Sequence, residues 1–347
     1  AQASFCLNSS ASGDMAMTGA KVAVPLHDPQ TDSSFWTSKS TSKPQWCGEP
    51  LKLLPVLLVV LIASFLFAVY VFFHCVPAIQ RNSSIGHAEL AALLLLTGMF
   101  VWCYLRCFLT HPGSIPDGAD WDFKPREFGV DPNPFNDSET KRTGDRRHCK
   151  WCLKYKPDRC HHCRVCRSCV LKMDHHCPWI NNCVGFHNHK FFLLLVFYGA
   201  LDTHLITWTM MSSVQGAVRD DVHFLRLFTV LFGESLAALF ALLLTVFLGF
   251  HIWLSAKSLT TIEFCEKAAK KFSCDTSRYD KGWRNIFGVL GENPLFWFVP
   301  LSPPHGDGLS FSSEASKLKG CDADQPSADE RPDERANYGA APVPGAV

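Results

Sequence analysis

Two almost wholly apolar runs, Leu51 to Phe73 and Ala88 to Leu109, are each about 22 or 23 residues long. As helix, at about 1.5 Å per residue, each reaches across a hydrocarbon layer about 30 Å thick. Phe191 to Met211 makes a third such run, and the stretch from about Leu227 to Leu254 a fourth, with Glu234 near its start. A chain of 347 residues would ordinarily suggest two or three soluble domains, but apolar residues gathered into blocks of spanning length do not build a globular core. The expected fold is therefore a membrane protein, predominantly α, with four transmembrane helices. Residues 1 to 50 are polar and lack a basic start followed by an apolar stretch, so no signal peptide is expected there.

Lys and Arg orient the spans. The segment Thr110 to Lys190 holds fourteen of them, whereas the loop 74 to 87 holds only Arg81 and the loop 212 to 226 only Arg219 and Arg226. The positive-inside rule places the long loop in the cytosol, and four spans put both termini there too. From Lys141 to Lys172 there are eleven basic residues against Asp145 and Asp158. Such a patch suits either anionic lipid heads or a phosphate-bearing cofactor. Beside a bilayer, no nucleic-acid partner is expected for it.

The same loop carries eight cysteines between Cys149 and Cys183. A reducing compartment disfavours disulfides and leaves metal binding or catalysis. The order is Cys149-x2-Cys152, His161-His162-Cys163-x2-Cys166-x2-Cys169, His175-His176-Cys177 and Cys183. Cys-x2-Cys lets two thiolates of one tight turn take adjacent corners of a tetrahedron, and a structural zinc takes four such ligands. Zinc would supply the stability that a run poor in Leu, Ile and Phe lacks. Two four-cysteine sites would use every thiol; drafting His162 and His176 as ligands would release two, one of them Cys177. All eight bound implies a membrane-tethered zinc scaffold or ubiquitin-ligase-like adaptor, whereas six bound leaves a nucleophile.

Adjacent side chains in an extended segment face opposite ways. One of His175 and His176 can therefore bind metal while the other faces a thiol. A free cysteine has a pKa of about 8.5, and a neighbouring imidazole that takes its proton makes it a nucleophile near neutral pH. Asp174 could orient that imidazole, or could be an ordinary loop aspartate.

Asp174-His175-His176-Cys177-Pro178-Trp179, followed by Asn181-Asn182-Cys183-Val184-Gly185, resembles the signature of the DHHC protein S-acyltransferases. The resemblance extends upstream through Lys156-Pro157-Asp158-Arg159 and His161-His162-Cys163 to Cys166-x2-Cys169-Val170-Leu171-Lys172-Met173. Beyond the spans, Thr260-Thr261-Ile262-Glu263 resembles that family's TTxE motif, and Asn285 its C-terminal element. Four spans around a cytosolic zinc domain is also the family's arrangement. The resemblance implies that fatty acyl-CoA, with palmitoyl the expected chain, acylates Cys177 and that the acyl group passes to a cysteine of a membrane-associated substrate protein. It implies His175 as the base, Asp174 as the group polarising it, and two structural zinc ions. One zinc would be held by Cys149, Cys152, His162 and Cys169, the other by Cys163, Cys166, His176 and Cys183, leaving Cys160 spare. It implies Arg147, Lys156, Arg159, His161 and Lys172 near the CoA phosphates, Trp179 and Phe192 at the mouth of the acyl cavity, and Thr261 beside the site with Asn285 supporting the structure.

These readings divide the chain into a disordered cytosolic tail 1–50, spans 1 and 2 in 51–109, and a linker with the zinc domain in 110–190 (core 147–190). Spans 3 and 4 follow in 191–254, then a cytosolic segment 255–300 and a disordered tail 301–347. No internal repeat is evident. His111 stands where the resembled family has the aspartate of an Asp-Pro-Gly motif. Asp202 inside the third span is expected to make an interhelical contact, since an unpaired carboxylate at membrane depth costs several kcal/mol.

Overall fold

The computed structural model describes residues 50–81, 83–124, 139, 141, 146–220, 222–269, 279, 282–301, 304 and 306–311. The tail 1–49 and most of 301–347 lie outside the described residues, as does the connector 125–138 with Pro125, Pro132 and Pro134. Among the described residues, four helices are long and apolar enough to cross a membrane: α1 Leu51–Gln80, α2 Ser84–Leu109, α3 His189–Arg219 and α4 Phe224–Ala256. All four apolar runs are thus helical, and every helix is longer than its run. α1 continues through a π-turn at Val71–Cys75 to Gln80, and α3 continues to Arg219, so most of the two expected short loops is helix.

Side-chain bonds between helices explain the extensions. His74 bonds Ser213 of α3 (2.9 Å) and Glu89 of α2 (2.9 Å), and Tyr70 bonds Thr209 of α3 (2.5 Å). These polar residues interrupt the apolar pattern without ending the helices. α3 is central, packing along both α2 and α4, while α1 meets α4. Asp202 accepts a hydrogen bond from the Thr97 hydroxyl of α2 (3.0 Å), so it makes the expected interhelical contact, and His204 bonds Thr245 of α4 (2.9 Å). The Arg106 guanidinium lies over the Phe191 ring at 4.4 Å.

Between α2 and α3 the chain forms three two-stranded antiparallel hairpins: β1 His148–Cys149 with β2 Lys154–Tyr155, β3 His161–Cys163 with β4 Ser168–Val170, and β5 His175–Cys177 with β6 Asn182–Val184. Their registers coincide: His148 faces Tyr155, His162 faces Cys169 and His176 faces Cys183. Each hairpin turns through a residue with positive φ, at Leu153 (52°), Arg167 (53°) and Asn181 (45°). The loop is therefore one hairpin repeated every fourteen residues. That repeat is not evident in the sequence because only the turn cysteines and the paired ligands recur, while the residues between them do not.

Hydrogen bonds as well as apolar packing hold the third hairpin to the spans. Asn182 donates its amide to the carbonyls of Cys107 (3.0 Å) and Thr110 (2.9 Å), satisfying acceptors that α2 leaves open at its C-terminus. Tyr104 donates to the Trp179 carbonyl (2.8 Å). The chain after α2 lies against this hairpin so closely that a Cβ on Gly185 would sit 2.6 Å from Val170 Cγ1 and 2.8 Å from the Pro112 carbonyl oxygen. Gly185→Ala is expected to destabilise the domain by about 2 kcal/mol, the usual scale of overpacking, seen as a lower thermal midpoint of the detergent-solubilised protein. In the turn before it, the Gly113 amide donates to His111 Nδ1 (3.1 Å), so an imidazole serves as the turn's acceptor.

After α4, α5 Thr261–Ala269 returns beneath the hairpins and α6 Phe287–Leu290 follows. Asn285 donates to the Ala256 carbonyl at the end of α4 (2.7 Å). Residues 306–311 pack onto the zinc domain, with Leu309 and Phe311 against its core and Gly308 against Phe186. The polar composition of 301–347 conceals this short packed segment.

Candidate active site and metal centres

Cys149 and Cys152 of the first turn meet His162 and Cys169, paired across the second hairpin. Cys163 and Cys166 of the second turn meet His176 and Cys183, paired across the third. Within each set the ligand atoms lie within 4.8 Å of one another. His162 Nδ1 is 3.5, 3.3 and 3.8 Å from the sulfurs of Cys149, Cys152 and Cys169. His176 Nδ1 is 3.4 Å from Cys166 and 3.5 Å from Cys183, whose sulfurs are 3.5 Å apart. A tetrahedral zinc with bonds of about 2.3 Å to sulfur and about 2.0 Å to nitrogen separates its ligands by about 3.5 to 3.8 Å. Three thiols and an imidazole at these spacings fit that ion.

The repeat explains which thiol stays out. Each cluster joins the Cys-x2-Cys of one turn to the facing pair of the next hairpin. The third turn, Cys177-Pro178-Trp179-Ile180, has isoleucine where the others have their second cysteine, and among the described residues no fourth hairpin follows. Ile180 is buried with Cys177 among Cys103, Cys107, Phe191 and Phe192 at the ends of the spans. The third turn thus rests on the membrane helices instead of on a metal. Cys160 likewise stands outside both clusters, fully buried.

Residues two apart on a strand share a face, so His175 and Cys177 lie on one side of β5 and His176 on the other. His175 Nδ1 bonds Asp174 Oδ2 (2.7 Å), and the Cys177 thiol lies on the same face of the strand as this imidazole. Asp174, 1 % exposed, also accepts from the Thr261 amide (2.8 Å) and the Thr261 hydroxyl (2.8 Å) at the start of α5. Burial alone would lower the His175 pKa, but the neighbouring Asp174 and Cys177 outweigh it and raise it to about 9. Burial opposes the Asp174 charge as well, yet its imidazole partners hold this carboxyl well below the usual range. The Phe192 ring meets His175 edge-on at 5.1 Å.

Thr260 and Glu263 form a capping box: the Glu263 amide donates to the Thr260 hydroxyl (3.2 Å), and the Thr260 amide donates to Glu263 (2.9 Å). The Glu263 carboxylate also grips Arg159 at 2.6 and 2.8 Å. One short motif therefore caps α5, bonds Asp174 and anchors Arg159, a convergence that spacing alone does not disclose.

Burial disfavours the Glu263 anion, but Arg159 and the Thr260 amide more than compensate and its pKa is lowered. A depressed carboxylate adds stability that is present above its unfolded pKa, about 4.3, and lost as pH falls through the folded value. Glu263→Gln is expected to lower stability near neutral pH by about 3 kcal/mol and to flatten the loss below about pH 4, measured by thermal unfolding across pH.

Of the basic residues assigned to the CoA phosphates, Arg147 ion-pairs with Glu139 and donates to the Cys160 carbonyl (2.8 Å). Arg159 points inward, bonded to Glu263 and to the Ser258 carbonyl (2.9 Å) and stacked on Tyr279 and Phe311. Burial, then Arg147 and Lys156, lower the His161 pKa to about 4, and burial, then Arg159, lower that of Lys172 to about 7. Of the five residues, Arg159 is occupied by an internal carboxylate. Trp179 is 53 % exposed beside Cys177, whereas Phe192 is buried among the spans.

Sequence comparison agrees with this geometry. Residues 142–268 match the DHHC palmitoyltransferase family model. The chain is 32% identical over 304 residues to palmitoyltransferase ZDHHC20 of Bos taurus, covering 81% of each chain. It is 33% identical to palmitoyltransferase ZDHHC15 of Rattus norvegicus (76% of this chain, 83% of the relative) and 36% identical to palmitoyltransferase pfa3 of Schizosaccharomyces pombe (65% and 67%). Four apolar helices joined to a hairpin domain with two clusters that could hold metal define a membrane protein in which the Cys177 thiol stands outside both clusters. The chain belongs to the DHHC palmitoyltransferase family. It is a protein-cysteine S-palmitoyltransferase, and no comparison supports the zinc-scaffold alternative.

Proposed function

We propose that the palmitoyl group travels on Cys177. The observation that carries this reading is a thiol outside both metal clusters, on the same strand face as an imidazole that Asp174 holds from behind. His175 takes the thiol proton, and the Cys177 sulfur attacks the thioester carbonyl of a fatty acyl-CoA. The bond to the CoA sulfur breaks as the new thioester forms, and the departing CoA thiolate takes the proton from His175. In the second half the thiol of a substrate cysteine gives its proton to His175 and attacks the acyl-enzyme, and Cys177 leaves as the thiol. Exchange of one thioester for another is nearly isoenergetic, so no other energy source is needed. Thr261 keeps Asp174 facing His175.

Two zinc ions, held by the ligand sets named above, would supply fold stability and take no part in the transfer. Arg147, Lys156, His161 and Lys172 suit the phosphates of CoA, while Arg159 fixes the segment that bears them. Trp179 and Phe192 flank the entry of the acyl chain, whose burial among the spans contributes about 0.8 kcal/mol per methylene. The basic loop assigns this face to the cytosol, together with both termini, so the substrates are membrane-associated proteins with cytosolic cysteines.

Incubation of the purified protein with radiolabelled palmitoyl-CoA is expected to give a hydroxylamine-sensitive label on the chain and a burst of free CoA, as a covalent intermediate requires. Zinc-edge absorption is expected to give three sulfurs and one nitrogen per ion. Four sulfurs per ion and no label would return the chain to the scaffold reading.

A further inference from the structure

Asp174 has a second pair of histidine neighbours, which the transfer does not use. His189, at the start of α3, and His251, one turn from the end of α4, each bring a ring nitrogen within 4.8 Å of an Asp174 carboxylate oxygen and of each other. All three are buried, His189 at 6 % and His251 at 1 % exposure. Neither ring nitrogen of His251 has a hydrogen-bond partner among the described residues, although a buried polar group left unpaired is costly. Its ring is held by Phe247 (4.5 Å), Phe192 (5.2 Å) and His175 (5.9 Å). Asp174 spends two acceptor positions of Oδ2 on His175 and Thr261 and one of Oδ1 on the Thr261 amide, which leaves one on Oδ1.

From this arrangement we infer that Asp174, His189 and His251 form a third site for a divalent transition-metal ion, and that its occupation inhibits acyl transfer. Two imidazoles and a carboxylate are ligands that zinc accepts, and the set contains no thiol, unlike the two structural sites. A cation on Asp174 draws on the same carboxylate that holds His175 Nδ1 at 2.7 Å, so the base loses an orienting contact without being touched. The inhibitory half rests on the proposed role of Asp174; the binding half does not.

The test adds Co²⁺ to full-length, two-zinc protein in detergent, follows the visible spectrum, and measures bound metal after dialysis together with initial self-acylation. The expected result is one further ion per chain, with ligand-field bands but no sulfur-to-metal charge transfer, and a fall in rate of roughly tenfold or more, the scale of a lost supporting contact. His189→Phe, which keeps a ring of similar size, is expected to retain two zincs, bind no third ion and show no metal inhibition relative to its own metal-free rate. No third ion in the wild-type protein, or a third ion with a thiolate band, would overturn the site without recourse to any variant. Binding without a change in rate would overturn the inhibition. Full activity of Asp174→Asn would instead remove the triad reading, and the cobalt spectrum of the wild-type protein would still report on the site.

Discussion

Cys177→Ser abolishes both self-acylation and transfer to substrate, lowering the rate by on the order of 10⁴-fold or more, while the protein keeps two zinc ions per chain. Serine replaces a sulfur that lies outside both clusters, so metal content and thermal stability should hardly change. A hydroxyl is far less acidic than a thiol, and a nearby imidazole does not suffice to make it attack a thioester at useful speed. Metal analysis beside a labelled acyl-CoA assay checks both halves. Retained transfer would refute the nucleophile; loss of zinc would mean that this sulfur is a ligand.

The second large effect falls on the pair behind the thiol. Asp174→Asn is expected to slow self-acylation by on the order of 10² to 10⁴, the range for proton transfer and for a misoriented base. With Asp174 present, the His175 pKa is raised to about 9. A raised histidine pKa makes the proton, and the stability it adds, fully present below the ordinary value of about 6.5 and lost as pH rises through about 9. The variant should lose this window, so the alkaline fall in its rate moves to lower pH. His175→Ala should be equally slow and still hold two zincs. Loss of metal in that variant would mean that His175 and His176 have exchanged roles.

The spans were legible because spanning length and apolarity coincide in them, and their ends were not, because His74 bonds both Glu89 and Ser213 and carries helix into polar sequence. The two clusters that could hold metal were legible through spacing joined to family resemblance, whereas cysteine arithmetic alone left two four-thiol sites open. What favours the mixed sites is the hairpin register, which places His162 opposite Cys169 and His176 opposite Cys183. The sequence contains the reason Cys177 is spare, namely Ile180 at the place of a cysteine, but the signal appears only once the three hairpins are aligned. Arg159 shows the opposite limit. Its charge is plain in the sequence, but its partner Glu263 lies across the fourth span and comes near only through the fold. His189 and His251 belong to different spans, and nothing in their local sequence marks them as neighbours of Asp174.

The most direct test is to locate the acyl group. Purified protein is mixed briefly with palmitoyl-CoA, quenched in acid, digested, and its peptides are mapped by mass spectrometry before any substrate protein is added. A single thioester-linked palmitoyl on Cys177, which disappears when substrate is supplied, is the predicted result. Palmitoyl on another cysteine with Cys177 unmodified, or transfer to substrate with no acyl-enzyme at all, would contradict it.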